Sequence, residues 1–405
     1  MILAWADGAT CLSDLAAVRA QPAMFGPVAS EATVWRTFDH IGPAELRGIA
    51  AARAAARERA WSADAGPAGE ELIIDFDATL VTTKTDKQDA APTYKRGYGH
   101  HPLLAMIAET DEVLAGILRP GNAGSNTAID HVSLLADALD QLPAGWRAGH
   151  QRGDGADQVA HQVLVRADAG GASHWFAEEC VDRNLQFSFG YQIDHRVRDG
   201  VMMVPTGCWH HAIEPNGARR DGAEVVELTD FVNLDSWPDG TRLIVRRERP
   251  HPGAQLTLFD TIEGFGHTAF ITNRTSYDVA ALELQQRQRA RAENVIRDTK
   301  ACGLAKLPFD CIVNNDVWMQ LCFAANDLLG WAQRIGCTGQ LRRATPKTIR
   351  HRMLHVAAHI TPNSRRLRLD RNWPWTRLII DAIHRIRTAF RTLTVTNQTP
   401  AHAAL

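Results

Sequence analysis

The sequence has few cysteines, and their spacing builds neither a disulfide framework nor a zinc module. Seven cysteines are scattered over 405 residues, and no two of them form a CxxC pair. An odd, scattered set argues against disulfides, and the missing pairs argue against a zinc module. The CWHH run at 208–211 and the adjacent His100 and His101 lack four ligands at finger-like spacing, so we interpret them as surface or structural residues.

Long apolar runs and an excess of charge are also missing. No stretch approaches the roughly 18 apolar residues of a membrane span. The first seven residues carry no basic segment and reach an acid at Asp7, which predicts that they are not a signal peptide. We therefore expect a cytoplasmic protein with no membrane partner. The net charge of −2 predicts no partner by itself.

The distribution of charge is more informative than its sum. Residues 342–391 contain thirteen Arg or Lys and only two acids. Such a basic block is typical of a surface that binds a polyanion such as nucleic acid. A solvated surface helix in an arginine-rich proteome has the same composition, so the block alone leaves both interpretations open.

The hydrophobic pattern predicts an α/β core. Apolar or alternating runs predict strands over 71–81, 102–108, 112–118, 162–168 and 186–193. Helical patterns follow the third strand at 127–141 and the fourth at 174–184, and another helix comes after a stretch of short β-like runs. Three strands, a helix, a strand, a helix, a strand and a helix is the order of an RNase H-like mixed sheet flanked by helices.

Five parts are predicted along the chain. They are a helical N-terminal DNA-binding region, the first part of an RNase H-like catalytic core, a β-rich insertion, the second part of the core, and a basic helical C-terminal region. Their predicted bounds are 1–70, 71–193, 194–270, 271–335 and 336–405. For the first part, a helical cap on the core is an equally good interpretation.

The stretch 286–300 has the most specific pattern of polar residues. On a helix at about 100° per residue, Gln286, Arg289, Glu293 and Lys300 fall within an arc of roughly 60°. A lone carboxylate between cations on one helical face suits an acid that holds a metal while the cations hold phosphates. A salt-bridged helix surface would also place a glutamate among arginines.

Two aspartates elsewhere complete a set of three carboxylates. Asp75 and Asp77 are two residues apart on a strand and so point to one face of the sheet; Asp77 is the predicted metal ligand and Asp75 the alternative. Asp168 follows an apolar strand and precedes Ala-Gly-Gly, which lets a metal and a backbone approach. Mg²⁺ prefers carboxylate oxygens, and two such ions suit phosphodiester cleavage. Each acid alone has a structural explanation, whereas the ordered set with Glu293 predicts catalysis.

These residues resemble the insertion-sequence transposases of the DDE class, in the cut-and-paste branch with the YREK signature. That signature is Tyr, two residues, Arg, three residues, Glu, six residues and Lys. Arg289, Glu293 and Lys300 match it at the same spacing, and Gln286 stands at the position of the tyrosine. The resemblance extends over nearly the whole chain, through the segments 6–15, 25–30, 74–79, 101–103, 118–122, 165–170 and 314–329.

The resemblance implies a catalytic site and a cofactor. Asp77, Asp168 and Glu293 would bind two Mg²⁺ ions, for which Mn²⁺ would substitute. Arg289 and Lys300 would hold phosphates of the transposon end.

The resemblance also implies a reaction and partners. The DNA ends would be nicked, closed into hairpins, and joined to target DNA. Gln286 would lie at the DNA, and a tryptophan of the β-rich insertion, Trp209 or Trp237, would accommodate a flipped base. The implied partners are double-stranded DNA, as terminal inverted repeats and as target, and a second copy of the chain in a synaptic homodimer at the bacterial nucleoid.

Two other functions stay open on the sequence. Residues 73–80 also fit the aspartyl-phosphate phosphatases of the haloacid dehalogenase class, with Asp75 as nucleophile and Asp77 as general acid/base. The GDGAD run at 153–157 resembles their Mg²⁺ loop, although no hydrophobic strand directly precedes it. The other alternative is a decayed or domesticated transposase that binds DNA without cutting it.

Overall fold

A computed structural model describes residues 1–84, 86–124, 127–250, 253, 259–260, 264–361 and 366–396. Parts of the predicted β-rich insertion (251–252, 254–258 and 261–263) and the end of the predicted C-terminal region (397–405) lie outside the described residues. The described strands are β1 Glu71–Ala78, β2 Val81–Thr82, β3 Ala91–Pro92, β4 Tyr98–His100, β5 Leu103–Ile107, β6 Val113–Ile117, β7 Gln162–Ala167, β8 Gln186–Tyr191, β9 His210–Ile213, β10 Arg219–Glu227, β11 Arg242–Glu248, β12 Gly266–Thr272, β13 Ala358–Thr361 and β14 Arg366–Leu369. The α-helices labelled here are α1 Ile2–Ala6, α2 Leu15–Arg19, α3 Pro22–Phe25, α4 Glu31–Asp39, α5 Pro43–Ala60, α6 Ala128–Asp140, α7 Ala144–Arg147, α8 His174–Asp182, α9 His195–Met203, α10 Val279–Arg287, α11 Ala292–Thr299, α12 Ile312–Gly336, α13 Pro346–Ile349 and α14 Thr376–Thr396.

Nine of the described strands form one mixed sheet in the order β6-β5-β1-β7-β8-β12-β11-β10-β9. Strand β5 is antiparallel to β1, and β6 is antiparallel to β5. Strands β7 and β8 run parallel to β1. These five strands have the order and directions of an RNase H-like core, which confirms the predicted fold class.

The strands of the β-rich segment extend this same sheet. Strand β12 pairs with β8, and β11, β10 and β9 follow outward, all antiparallel to their neighbours. The segment also contains the α-helix α9, whose first turn is capped by the carboxylate of Asp194 accepting from the backbone N–H of Val197. The sheet therefore continues from the core into the segment at 194–270.

The two faces of β1 differ, and this difference places the acids. Leu72, Ile74 and Phe76 point into a core shared with helices α6 and α8. Because side chains alternate along a strand, Asp75 and Asp77 point to the opposite face. Helices α10 and α11 cross that face, and α12 packs beside them over β5 and β6.

The helix predicted over 286–300 is interrupted. Helix α10 ends at Arg287, a 3₁₀ turn covers Gln288–Arg291, and α11 then runs to Thr299, where a π turn follows. A 3₁₀ turn has three residues per turn rather than 3.6. The predicted arc of one ideal helix therefore does not describe the directions of these side chains.

The N-terminal helices pack onto the core through buried arginines as well as apolar residues. Trp5 and Phe38 are fully buried in a core with α12. Arg53 and Arg57 of α5 both pair with Asp327 of α12, at 3.0 and 2.7 Å. These two cations therefore serve packing. That residues 1–70 bind DNA stays a prediction, and their exposed side chains would make the contacts.

The basic C-terminal part is only partly a free cationic surface. Arg350 is buried and donates hydrogen bonds to the backbone carbonyls of Trp5, Ala6 and Ala301. Arg385 of α14 donates to the carbonyl of Gly336. In the described part of the chain, no helix combines the length and the apolar character needed to cross a membrane.

Candidate active site

The ends of β1 and β7 place two acids side by side at one edge of the sheet. Asp77 is the next-to-last residue of β1, and Asp168 directly follows β7. The strands are parallel, with Phe76 paired to Ala167, so the two aspartates follow at the same level. Gly190 of β8 packs against the backbone here, where a Cβ atom would lie 2.6 Å from the nitrogen of Ala169. Only glycine permits this approach.

Arg289 connects the two carboxylates. Its Nη2 atom lies 3.2 Å from Oδ1 of Asp77 and 3.9 Å from Oδ2 of Asp168. Burial raises the pKa of Asp77 to about 6, and the charge of Arg289 acts in the opposite direction. The Asp77 side chain is 18% exposed, and that of Asp168 is 57% exposed. This edge therefore holds two neighbouring carboxylates, one of them partly buried and the other exposed, beside a positive charge.

Glu293 does not join the two aspartates in this structure. It lies in the first turn of α11 with its side chain exposed. Among the described residues, no three His, Cys, Asp or Glu side chains lie close enough together to hold a metal ion. Asp77 and Asp168 fit a divalent cation chemically, because they offer the carboxylate oxygens that such ions prefer, here facing the guanidinium of Arg289. For α11 to supply a third carboxylate, Glu293 must move toward Asp77 and Asp168.

Gln286 and Lys300 hold the segment 286–300 against the strand ends. Gln286 donates through Nε2 to the carbonyl of Ala167 at 3.2 Å and accepts from the hydroxyl of Ser188 at 2.8 Å. Lys300 donates through Nζ to the carbonyl of Leu80 at 2.9 Å. Burial, with a smaller contribution from the charge of Lys95, lowers the pKa of Lys300. Both side chains contact the protein immediately beside the two aspartates.

Asp75 has a structural role. Its two oxygens accept from Nε and Nη2 of Arg166 at 2.7 and 2.8 Å, and its side chain is 1% exposed. Arg166 is its register partner across β1 and β7. This pairing argues against Asp75 both as the first metal ligand and as the nucleophile of a phosphatase. The GDGAD run does not support the phosphatase alternative either. Its Asp154 accepts a hydrogen bond from the N–H of Gln151 in a turn that precedes β7.

The two tryptophans proposed for base stacking differ in accessibility. Trp209 is 7% exposed, and the guanidinium of Arg247 covers its ring at 4.0 Å. A base therefore has no access to this ring, and the preference for Trp209 is not supported. Trp237 is partly buried against His174 and Tyr191, with ring centroids 4.4 and 6.1 Å away. Because Tyr191 ends β8, Trp237 lies at the same edge of the sheet as Asp168.

Sequence reasoning did not predict that His101 and Arg119 lie together at this edge of the sheet. Nε of Arg119 donates to the carbonyl of His101 at 3.0 Å, and the backbone N–H of His101 donates to the carbonyl of Arg119 at 2.9 Å. Burial lowers the pKa of His101, and the negative charge of Asp168 partly opposes this. Both residues lie in segments that resemble the transposase family, 101–103 and 118–122, and these segments were the available signal.

Comparisons with known proteins give one family. The protein-family model described as "Transposase DDE domain group 1" matches residues 1–390. Among solved structures, the piggyBac transposase synaptic complex with hairpin DNA aligns at a TM-score of 0.39 and 8% sequence identity, covering 82% of this chain and 58% of that chain. This chain thus spans less than two thirds of the length of that transposase. No curated protein matches the sequence. The match over most of its length shows that the chain belongs to the family of group 1 transposase DDE domains.

Proposed function

We propose that this chain is a DNA transposase that cuts DNA at the ends of an insertion sequence and joins them to target DNA. The observation that carries the proposal is the pairing of Asp77 with Asp168 at the edge of an RNase H-like sheet. The segment that crosses this edge supplies Arg289, Glu293 and Lys300, in a chain that matches a DDE transposase family over residues 1–390.

Asp77, Asp168 and Glu293 are the proposed metal ligands. DDE transposases generally use divalent metal ions, and we propose two Mg²⁺, with Mn²⁺ as a substitute. When bound, such ions supply an activated water and neutralise charge on the phosphate and the leaving oxygen. The carboxyl of Asp77 must lose its proton to act as a ligand, and the neighbouring cation Arg289 favours that loss.

Several side chains would position DNA and the aspartates. Arg289 and Lys300 are cations beside the two carboxylates, and in the proposed complex they exchange part of their present contacts for phosphate oxygens. Gln286, at the position of the tyrosine in the signature, bridges β7 and β8 directly before Asp168. We therefore assign Gln286 to holding Asp168 in place rather than to contacting DNA.

We also propose a hairpin step and the DNA partners of the reaction. We propose that a base is extruded when the hairpin forms at the transposon end, and Trp237 is the candidate for stacking on it. The proposed partners are the terminal inverted repeats, target DNA and a second copy of the chain at the nucleoid. The exposed arginines of the C-terminal part supply positive charge for phosphates.

A plasmid that carries this gene with its native flanking DNA tests the function. Wild type, Glu293→Gln and a control, Glu178→Gln, are incubated with it in Mg²⁺, and the cut ends are mapped. Glu178 is an exposed glutamate on α8, on the other face of the sheet. Paired double-strand breaks by wild type and by the control, but not by Glu293→Gln, support the proposal.

One observation favours a second candidate function. The three proposed ligands do not form a metal-binding group in the described residues, which is compatible with a DNA-binding remnant that has lost cleavage. Binding of the flanking DNA by wild type without cutting in Mg²⁺ or Mn²⁺ would support that function and contradict the enzyme.

A further inference from the structure

A small hairpin rises beside the candidate active site. Strand β2 begins at Val81, shortly after Asp77, and pairs with β4, which pairs with β3. The turn between β3 and β4 closes through the N–H of Thr93 donating to the carbonyl of Gly97 at 2.8 Å. Gly99 fits closely against β2, since a Cβ atom there would lie 2.2 Å from the carbonyl oxygen of Val81. We call residues 93–98 the hairpin tip.

The chemistry of the hairpin tip suits an unpaired nucleic-acid strand. Its sequence, Thr-Tyr-Lys-Arg-Gly-Tyr, contains two cations and no acid. Tyr94 is 74% exposed and Tyr98 is 42% exposed, so both rings face solvent, with Nζ of Lys95 5.6 Å from the ring centroid of Tyr94. Exposed aromatic rings stack on bases, and adjacent cations hold phosphates, in proteins that bind single strands.

The hairpin tip lies close to residues on two sides of the candidate site. The ring of Tyr94 is 6.3 Å from that of His101, and the next residue, Pro102, accepts at 3.0 Å from the backbone N–H of Thr79, two residues after Asp77. On the other side, Lys300 donates to the carbonyl of Leu80 at 2.9 Å, and the next residue, Val81, pairs with His100 of β4, the strand that begins at the end of the hairpin tip. A strand held by Lys300 therefore lies beside the hairpin that carries Tyr94 and Lys95.

We propose that the hairpin tip holds the DNA strand that is being cut. Tyr94 stacks on an unpaired base beside the scissile phosphate, and Lys95 and Arg96 hold the neighbouring phosphates. The inference rests on the proposed function. The cut strand is the favoured occupant because the hairpin begins shortly after Asp77 and lies beside the carbonyl that Lys300 contacts. Target DNA and a second copy of this chain are the other occupants that the test separates.

The test compares the binding of two DNA probes to the full chain by fluorescence anisotropy. One probe is a blunt duplex, and the other is the same duplex ending in an unpaired thymidine tail. The variants are Tyr94→Ala, Tyr94→Phe, Lys95→Gln and a matched control, Tyr277→Ala. Tyr277 is 98% exposed and precedes α10 at the opposite edge of the sheet. Thermal melting checks that each variant folds.

We expect wild type to prefer the tailed probe by about tenfold, within the range of one base stacked on an aromatic ring. Tyr94→Ala should lose this preference, whereas Tyr94→Phe and Tyr277→Ala should keep it. Lys95→Gln should weaken binding of both probes to a similar extent and reduce the salt slope by about one, as for the loss of one phosphate contact. Tyr94→Ala should also slow cutting of the plasmid.

Three results would overturn the proposal. An unchanged preference in Tyr94→Ala would exclude stacking by this ring. Normal cutting with impaired joining of pre-cut ends would make target DNA the occupant. A changed sedimentation coefficient with unchanged DNA binding would make a second copy the occupant. In each case, plasmid cutting by wild type but not by Glu293→Gln would leave the proposed function standing, whereas no DNA binding by wild type would remove both.

Discussion

Replacing Asp77 with asparagine tests whether the buried charge of this carboxylate destabilises the folded protein. Burial raises its pKa from 3.8 to about 6, and this difference corresponds to about 3 kcal/mol. Above pH 6 the folded protein carries the buried charge. Below about pH 4 the carboxyl is neutral in both the folded and the unfolded chain, so the penalty is absent. Asparagine is neutral at every pH.

The expected result is a more stable protein that does not cut DNA. At pH 7.5, Asp77→Asn should raise the free energy of unfolding by up to about 3 kcal/mol, or the melting temperature by roughly 3–4 °C for a chain of this length. The gain should shrink as pH falls from about 6 and disappear below about 4. Urea unfolding and thermal melting over this pH range measure it.

A matched variant is available at the neighbouring carboxylate. Asp168 is 57% exposed, so Asp168→Asn should change stability little at any of these pH values while also preventing cleavage. A loss of stability in Asp77→Asn at pH 7.5, or a gain that persists at pH 4, would show that the buried charge is not the cause.

Three further predictions concern positioning and metal choice. Asp75→Asn leaves the guanidinium of Arg166 buried without its charge partner, which should lower the free energy of unfolding by about 3–5 kcal/mol; unchanged urea unfolding would contradict the buried pair. Gln286→Ala removes the contacts to Ala167 and Ser188, so the cleavage rate should fall while the Kd for DNA stays the same. An equal loss in both would place Gln286 at the DNA instead. Ca²⁺ in place of Mg²⁺ should support DNA binding without cutting, because its looser coordination positions water poorly, and efficient cutting in Ca²⁺ alone would argue against the proposed ligands.

The core strands were predictable because burial on both faces leaves a local signal. Strands β1 and β7 carry apolar runs typical of parallel strands covered by helices. The aspartates at the ends of these runs are therefore easy to recognise in the sequence. The choice between Asp75 and Asp77 as the metal ligand was harder to make from the sequence, because the partner that neutralises Asp75 is Arg166 on another strand. Only the register of β1 with β7 shows that this arginine takes both oxygens of Asp75.

Features that depend on tertiary packing were not predictable. The sequence does not indicate whether a tryptophan in a β-rich segment is buried or exposed. Arg247 covers the ring of Trp209 only because the folded sheet brings the two residues together. The 3₁₀ turn at Gln288–Arg291 interrupts a sequence of good helix formers. Strands β3 and β4 are too short to give a periodic pattern, so the hairpin tip emerged only from the structure.

The central claim is that Asp77, Asp168 and Glu293 together form one metal-binding site in the DNA complex. The most direct test replaces Mg²⁺ with Fe²⁺ in the full chain bound to its flanking DNA and adds ascorbate and peroxide. Hydroxyl radicals formed at the bound iron then cut the nearby backbone, and mass spectrometry maps the fragments. We predict cuts beside all three residues, suppressed by excess Mg²⁺. Cuts beside Asp77 and Asp168 with none near Glu293 would contradict the claim.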